Sequence, residues 1–134
     1  TVDCYIDLDG NPCHYVPRLR LRTVGGESIQ GVTIRDDDIR PWLLAVLETI
    51  ASVGGKGPIT IQAFLTDNGP VLSEVNPRFA GGFPLSDAAG GHYPEWIVGT
   101  HAGERIMPEI GAYRAGMNMT RYYVEHFTEE LPWT

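Results

Sequence analysis

The chain has 134 residues and a formal charge of −7; it is 43% hydrophobic and 20% charged. That length supports one domain with a real core, expected at 1–134. The acidic balance argues against a nucleic-acid-binding surface, yet leaves room for a small basic pocket. No apolar run approaches the roughly 18 residues of a membrane-spanning helix, so no membrane role is expected, and no segment reads as a signal peptide. Without an initiator methionine, the chain opens on Thr1-Val2-Asp3-Cys4 in strand-like alternation, as an excised domain or a cut through a larger protein would.

Val2, Cys4, Ile6 and Leu8 alternate with Asp3, Tyr5 and Asp7, the period of a half-buried strand. Asp9-Gly10-Asn11 is a turn signal. A two-residue loop there sets residue 4 opposite residue 15, so Cys4 and Cys13 are expected as free thiols. Free thiols point to a reducing compartment, and the chain is expected to be cytoplasmic. Extended structure resumes at Cys13–Val16, with Pro17 marking an edge or a bulge. Arg18, Arg20 and Arg22 then alternate with leucines and, if extended, share one face. Gly25-Gly26 breaks the run, and residues 30–34 form a further short strand.

Asp36-Asp37-Asp38 precedes a helix and is expected to cap it, with Pro41 in the first turn. Ile39, Leu43, Val46, Leu47, Ile50 and Ala51 mark one buried helical face, and Gly54-Gly55 ends it. Residues 58–66 and 71–76 read as a central hairpin. Residues 77–91 read as a structured glycine- and proline-rich loop, and 93–100 as a short helix starting at Pro94. Residues 111–116 form a turn region. The stretch 107–127 is an extension whose 117–127 part has strand character, and 128–134 reads as a tail. The fold class is therefore α+β: a mostly antiparallel β-sheet with one main helix packed on it.

The hairpin carries the chemistry. A three-residue loop, Asp67-Asn68-Gly69, sets Gln62 opposite Glu74, Thr60 opposite Asn76 and Phe64 opposite Leu72. The other face then pairs Ile61 with Val75, Ala63 with Ser73 and Leu65 with Val71. One face is apolar; the other gathers the oxygen donors Gln62, Glu74 and Asn76. Oxygen-only ligation suits magnesium or manganese, with phosphates completing a shell that holds a single carboxylate. Arg78 lies near that face and can neutralise a phosphoryl oxygen or hold an anionic substrate. Gly81-Gly82 permits close backbone approach. On spacing alone, a solvated strand face, with Gln62 structural, accounts for these residues better than a metal site does.

Glu74-Val75-Asn76-Pro77-Arg78, with Phe79 and Gly81-Gly82, resembles the signature strand of the ATP-grasp superfamily, nearest its carbamoyl-phosphate synthase large-subunit-like branch. The match takes in residues 58–64 as the preceding strand, together with 16–28 and 83–86, and spans roughly residues 2–106. The resemblance implies that Glu74, Asn76 and Gln62 ligate Mg2+ or Mn2+ on ATP, that many relatives carry Glu at position 62, and that Arg78 contacts the transferred phosphate or the acyl-phosphate oxygen. It implies a ligase that activates a carboxylate as an acyl phosphate for attack by an amine or thiol. Phe64 and Leu72 are then expected near adenine. Arg18, Arg20 and Arg22 are read from their alternation as an anion-binding stripe near the nucleotide or the carboxylate substrate, with Arg20 and Arg22 favoured by the Gly25-Gly26 that follows them. The lysine-bearing upstream lobe of such enzymes has no counterpart: Lys56, the only lysine, follows the helix. The chain thus resembles the C-terminal lobe alone, with the other lobe supplied in cis or as a separate chain, and with homo-oligomerisation left open.

Two other readings stand beside this one: a non-catalytic ATP-grasp-like binding or interaction domain, and an unrelated α+β domain whose hairpin is structural. His92, near the glycine loop, is a further candidate for substrate contact. Gly54-Gly55-Lys56-Gly57 lacks the spacing of a phosphate loop.

Overall fold

The computed structural model describes residues 1–105 and 107–129. The element order is β1 (Val2–Ile6), β2 (Pro12–Val24), β3 (Glu27–Thr33), α1 (Arg40–Ser52), β4 (Gly57–Thr66), β5 (Gly69–Asn76), α2 (Phe83–Ala88), α3 (Tyr93–His101) and β6 (Asn118–Thr120). The strands form one sheet in the order β5-β4-β1-β2-β3-β6, with every pairing antiparallel. This is the expected α+β class.

Cys4 lies opposite Tyr15 as expected, and both cysteines are free, but the turn is not the expected two-residue one: a register shift between Tyr5 and Ile6 sets Ile6 opposite Pro12 and leaves a longer loop. Strand β2 runs unbroken through Pro17. Its first half pairs with β1 up to Val2–Pro17, and its second half pairs with β3 from Arg18–Thr33 onward. Pro17 sits where one ladder hands over to the other, and its carbonyl accepts from Ile34 N at 3.0 Å.

Helix α1 covers one face. Leu43 and Leu47 are fully buried against Val2, Cys4, Ile6, Tyr15, Ile59 and Ile61. Pro41 occupies the first turn, but the cap residue is Ile39, which makes no side-chain capping bond. The aspartates work otherwise: Asp36 Oδ2 accepts the Tyr15 hydroxyl proton and lies 3.8 Å from Arg40 Nη1.

The opposite face is also covered. The segment at 77–91 holds the short helix α2, with Pro84 in its first turn, and α3 follows from Tyr93. Phe83 and Tyr93 pack on Tyr5, with Trp96 and Ile97 beside them. With both faces covered, all of β1 is buried, and Asp3 and Tyr5 do not face water as a half-buried strand would require. Strand character in the extension is confined to β6, which adds to the sheet edge beside β3. The tail expected at 128–134 lies, from residue 130 on, outside the described residues.

Candidate functional site

Cross-strand rows on the face away from α1 build the site. Asp3 pairs with Val16 on one side and Thr60 on the other, and Thr60 pairs with Asn76. Directly opposed residues share a face, so Val16, Asp3, Thr60 and Asn76 form one row across four strands. Gln62–Glu74 forms a neighbouring row on the same face.

The expected Gln62–Glu74, Thr60–Asn76 and Ile61–Val75 pairs are present, but the loop that sets them differs. The turn is a two-residue one, Asp67-Asn68, closed by Thr66 opposite Gly69; Gly69 has φ +100° and Thr66 Oγ1 donates to its carbonyl at 2.7 Å. A bulge at Ser73 then absorbs one residue and restores the register. Toward the tip, Phe64 faces Val71 and Leu72 faces Ala63, so Phe64 and Leu72 lie on opposite faces and do not form the expected pair. Both are exposed.

A cavity of about 390 Å³ opens on this face. Of the residues expected to act, Gln62, Arg78, Arg20, Gly81 and Gly82 line it. Glu74 and Asn76 stand beside it on the outer strand, and Phe64 and Leu72 lie outside it. Arg22 is also outside. A bulge between Arg20 and Arg22 shifts the ladder by one residue, so Arg22 opposes Gln30 and leaves the face that Arg20 occupies. The three arginines therefore do not form one stripe. His92 lies outside the cavity and pairs instead with Asp87 at 3.6 Å.

Asn76 carries the clearest sign of a ligand. Its Nδ2 is buried and has no hydrogen-bond partner among the described residues. Most buried polar groups are paired, and the N and O ends of an amide are nearly identical in shape. Turned over, the amide would present its oxygen to the same space. Neither the Gln62 nor the Glu74 side chain has a partner among the described residues. Among those residues, no group of three or more His, Cys, Asp or Glu is placed to hold a metal ion. A cation here would depend on one carboxylate, two amides and oxygens from its substrate, a donor set that fits magnesium or manganese bound with phosphates.

Beneath the cavity lies a polar centre that the sequence pattern did not reveal. Asp3, 2% exposed, receives Arg18 Nε at 2.9 Å and Ser86 Oγ at 2.6 Å on Oδ2. Thr60 Oγ1 lies 3.0 Å from Asp3 Oδ1 and 2.9 Å from the Arg78 carbonyl, so this hydroxyl ties the carboxylate to the loop carrying Arg78. Tyr93 OH lies 2.9 Å from the Asp3 carbonyl and 3.1 Å from His14 Nδ1. His14 Nε2 donates to the Ala112 carbonyl at 3.0 Å, and burial lowers the His14 pKa. Arg121, from the extension, donates to the Gly81 carbonyl and lies 3.8 Å from Glu27, pinning the glycine loop at the cavity mouth. Two features of the sequence could have flagged this centre: an Asp at an inward position of the first strand, and an Arg two residues beyond Val16.

The model of the family described as "ATP-grasp in the biosynthetic pathway with Ter operon" matches residues 1–127. No curated protein matches the chain. Among solved structures, the chain is similar to the biotin carboxylase domain dimer of Hydrogenobacter thermophilus 2-oxoglutarate carboxylase, determined in complex with MgADP, ADP and bicarbonate. The TM-score is 0.68 at 16% identity, over 87% of this chain and 28% of that one. Likeness at that identity concerns the fold, and this chain spans a little over a quarter of that protein's length.

Proposed function

The chain belongs to the ATP-grasp family of the biosynthetic pathway with Ter operon, and on that footing we propose that it is the C-terminal lobe of an ATP-dependent ligase joining a carboxylate to an amine or thiol. The orphaned Asn76 amide beside the Gln62–Glu74 pair carries this reading. Gln62, Glu74 and Asn76 would hold Mg2+ or Mn2+, and Arg78 at the cavity wall would receive phosphoryl oxygen. Bound metal–nucleotide supplies the phosphoryl group that activates the carboxylate. The chain's own residues orient oxyanions and offset their charge. The resemblance of the Glu74-to-Gly82 motif supports the carbamoyl-phosphate synthase large-subunit-like branch as the nearest one in this reading.

The hairpin tip supports a missing lobe. Phe64, Leu65, Val71 and Leu72 are all exposed at one end of the sheet, an apolar group suited to a covering partner. In this reading Phe64 or Leu72 meets adenine only once that lobe closes over the tip. Turnover would then require the lobe in cis or as a second chain.

The test is manganese-induced paramagnetic broadening of the amide resonances of residues 60–62 and 74–76, recorded with ADP, in wild type and Glu74→Gln. The expected result is selective broadening in wild type, weakened at least tenfold by the substitution, about 1.4 kcal/mol of binding. Equal broadening in both folded proteins refutes the metal assignment.

A further inference from the structure

The chain is acidic overall, yet Arg18, Arg20 and Arg78 converge on one cavity whose wall holds a single carboxylate, Glu27. Arg18 differs from the other two. It is 2% exposed and locked from behind: Nε binds Asp3, which is itself held by Ser86 and Thr60. Its guanidinium lies against Gly82. A Cβ on residue 82 would strike Nη1, and would come within 2.7 Å of Cζ and 3.0 Å of Nη2. Gly82 has φ −88°, so its backbone does not require glycine; the guanidinium does. Neither Nη makes a hydrogen bond to another described residue, and Arg18 lines the cavity.

A buried fork with its inner donor satisfied and its outer donors unused is an oxyanion receptor. We propose that Arg18 is such a receptor, a binding residue that takes an oxyanion of the cavity's ligand through Nη1 and Nη2. Asp3 is its positioning residue, and the absence of a side chain at Gly82 is what admits the guanidinium. This rests on the ligase reading and extends it: the ligand carries an anionic group beyond the one Arg78 receives. That group is a carboxylate of the acid substrate or a phosphoryl oxygen of the nucleotide. Three guanidiniums lining one cavity strengthen either contact.

The experiment follows the Arg18 Nε–Hε resonance of the 15N-labelled chain, sheltered by its bond to Asp3. Inorganic phosphate is titrated in one series and succinate in another. A saturable shift with phosphate alone assigns the fork to a phosphoryl group. A shift with succinate alone assigns it to the acid substrate, and shifts with both define a general oxyanion receptor. Arg18→Lys keeps the charge and loses the fork; read through the Gly26 and Gly81 amides, it should weaken binding at least tenfold. Gly82→Ala should do the same by displacing the guanidinium, and serves if the lysine variant does not fold. No shift with either anion overturns the proposal, as does undiminished binding in a folded variant. The manganese experiment with Glu74→Gln runs in parallel. Retained Glu74-dependent broadening with a silent Arg18 sinks this inference alone; the reverse sinks only the metal assignment.

Discussion

Replacing Asp3 by asparagine tests whether the polar centre holds the site together. The change keeps the side chain's shape and removes its charge, leaving the Arg18 guanidinium, 2% exposed, without a counter-ion. At an effective dielectric near 20, unit charges 2.9 Å apart attract by roughly 6 kcal/mol before desolvation is counted. Removing one partner of a buried pair costs about 3–5 kcal/mol. Asp3 also accepts from Ser86 and shares the single Thr60 hydroxyl proton with the Arg78 carbonyl, so the upper part of that range is expected. Against a domain stability of about 5–15 kcal/mol, this is a large fraction. Urea unfolding at fixed m-value measures it. The decisive comparison is Asp3→Asn combined with Arg18→Met. If the cost is the stranded charge, the double variant should recover much of it, with a coupling of about 1–3 kcal/mol. A loss below about 1 kcal/mol for Asp3→Asn alone, or strict additivity, refutes the reasoning.

Two further outcomes concern the elements around this centre. Burial lowers the His14 pKa, so the unfolded chain takes up this proton first as pH falls. The contribution of neutral His14 is therefore complete above the unfolded value near 6.5 and is lost below it, at no more than about 1.4 kcal/mol per pH unit. The groups facing the ring are Tyr93, Trp96, His92 and the Ala112 carbonyl. The difference in urea midpoint between wild type and His14→Gln, measured from pH 7.5 to 5, should show that slope; a flat difference refutes it. Deleting Ser73 removes the bulged residue without altering any cross-strand pair, so stability should change by less than about 1 kcal/mol and the Gln62–Glu74 cross-strand NOE should persist. Transfer of that NOE to Gln62–Val75 would contradict the bulge.

The hairpin shows what the sequence could and could not disclose. The sorting of apolar from polar residues on 60–62 and 74–76 allows only one register at the functional end, because a one-residue slip turns every side chain over. At the tip that constraint disappears. Phe64, Leu65, Val71 and Leu72 are apolar on both faces and exposed, so nothing in their pattern separates a three-residue loop from a two-residue turn with a bulge. Arg22 was misplaced for the same reason: a strand bulge leaves no mark in an alternating arginine–leucine run. Helix α2 escaped notice because six residues starting at a Gly-Phe-Pro are too short for periodicity to register. That omission had the largest consequence, since α2 and α3 cover the second face and convert Asp3 from a solvated strand residue into a buried one.

The burial of Asp3 in turn explains why the first strand belongs to the site. Its carboxylate is reached from β2 through Arg18, from β4 through Thr60 and from α2 through Ser86, the last of them 83 residues away in sequence. Each contact also fixes a part of the cavity wall. Arg18 sets the guanidinium under Gly82, Thr60 holds the Arg78 carbonyl, and Ser86 anchors the helix that follows the glycine loop. A displacement at any one of the three would therefore reach the others through a single carboxylate. Strand β5 carries Glu74 and Asn76, the donors of the proposed metal site, and Asp3 on the central strand keeps the Arg18, Arg78 and glycine-loop walls in register with them.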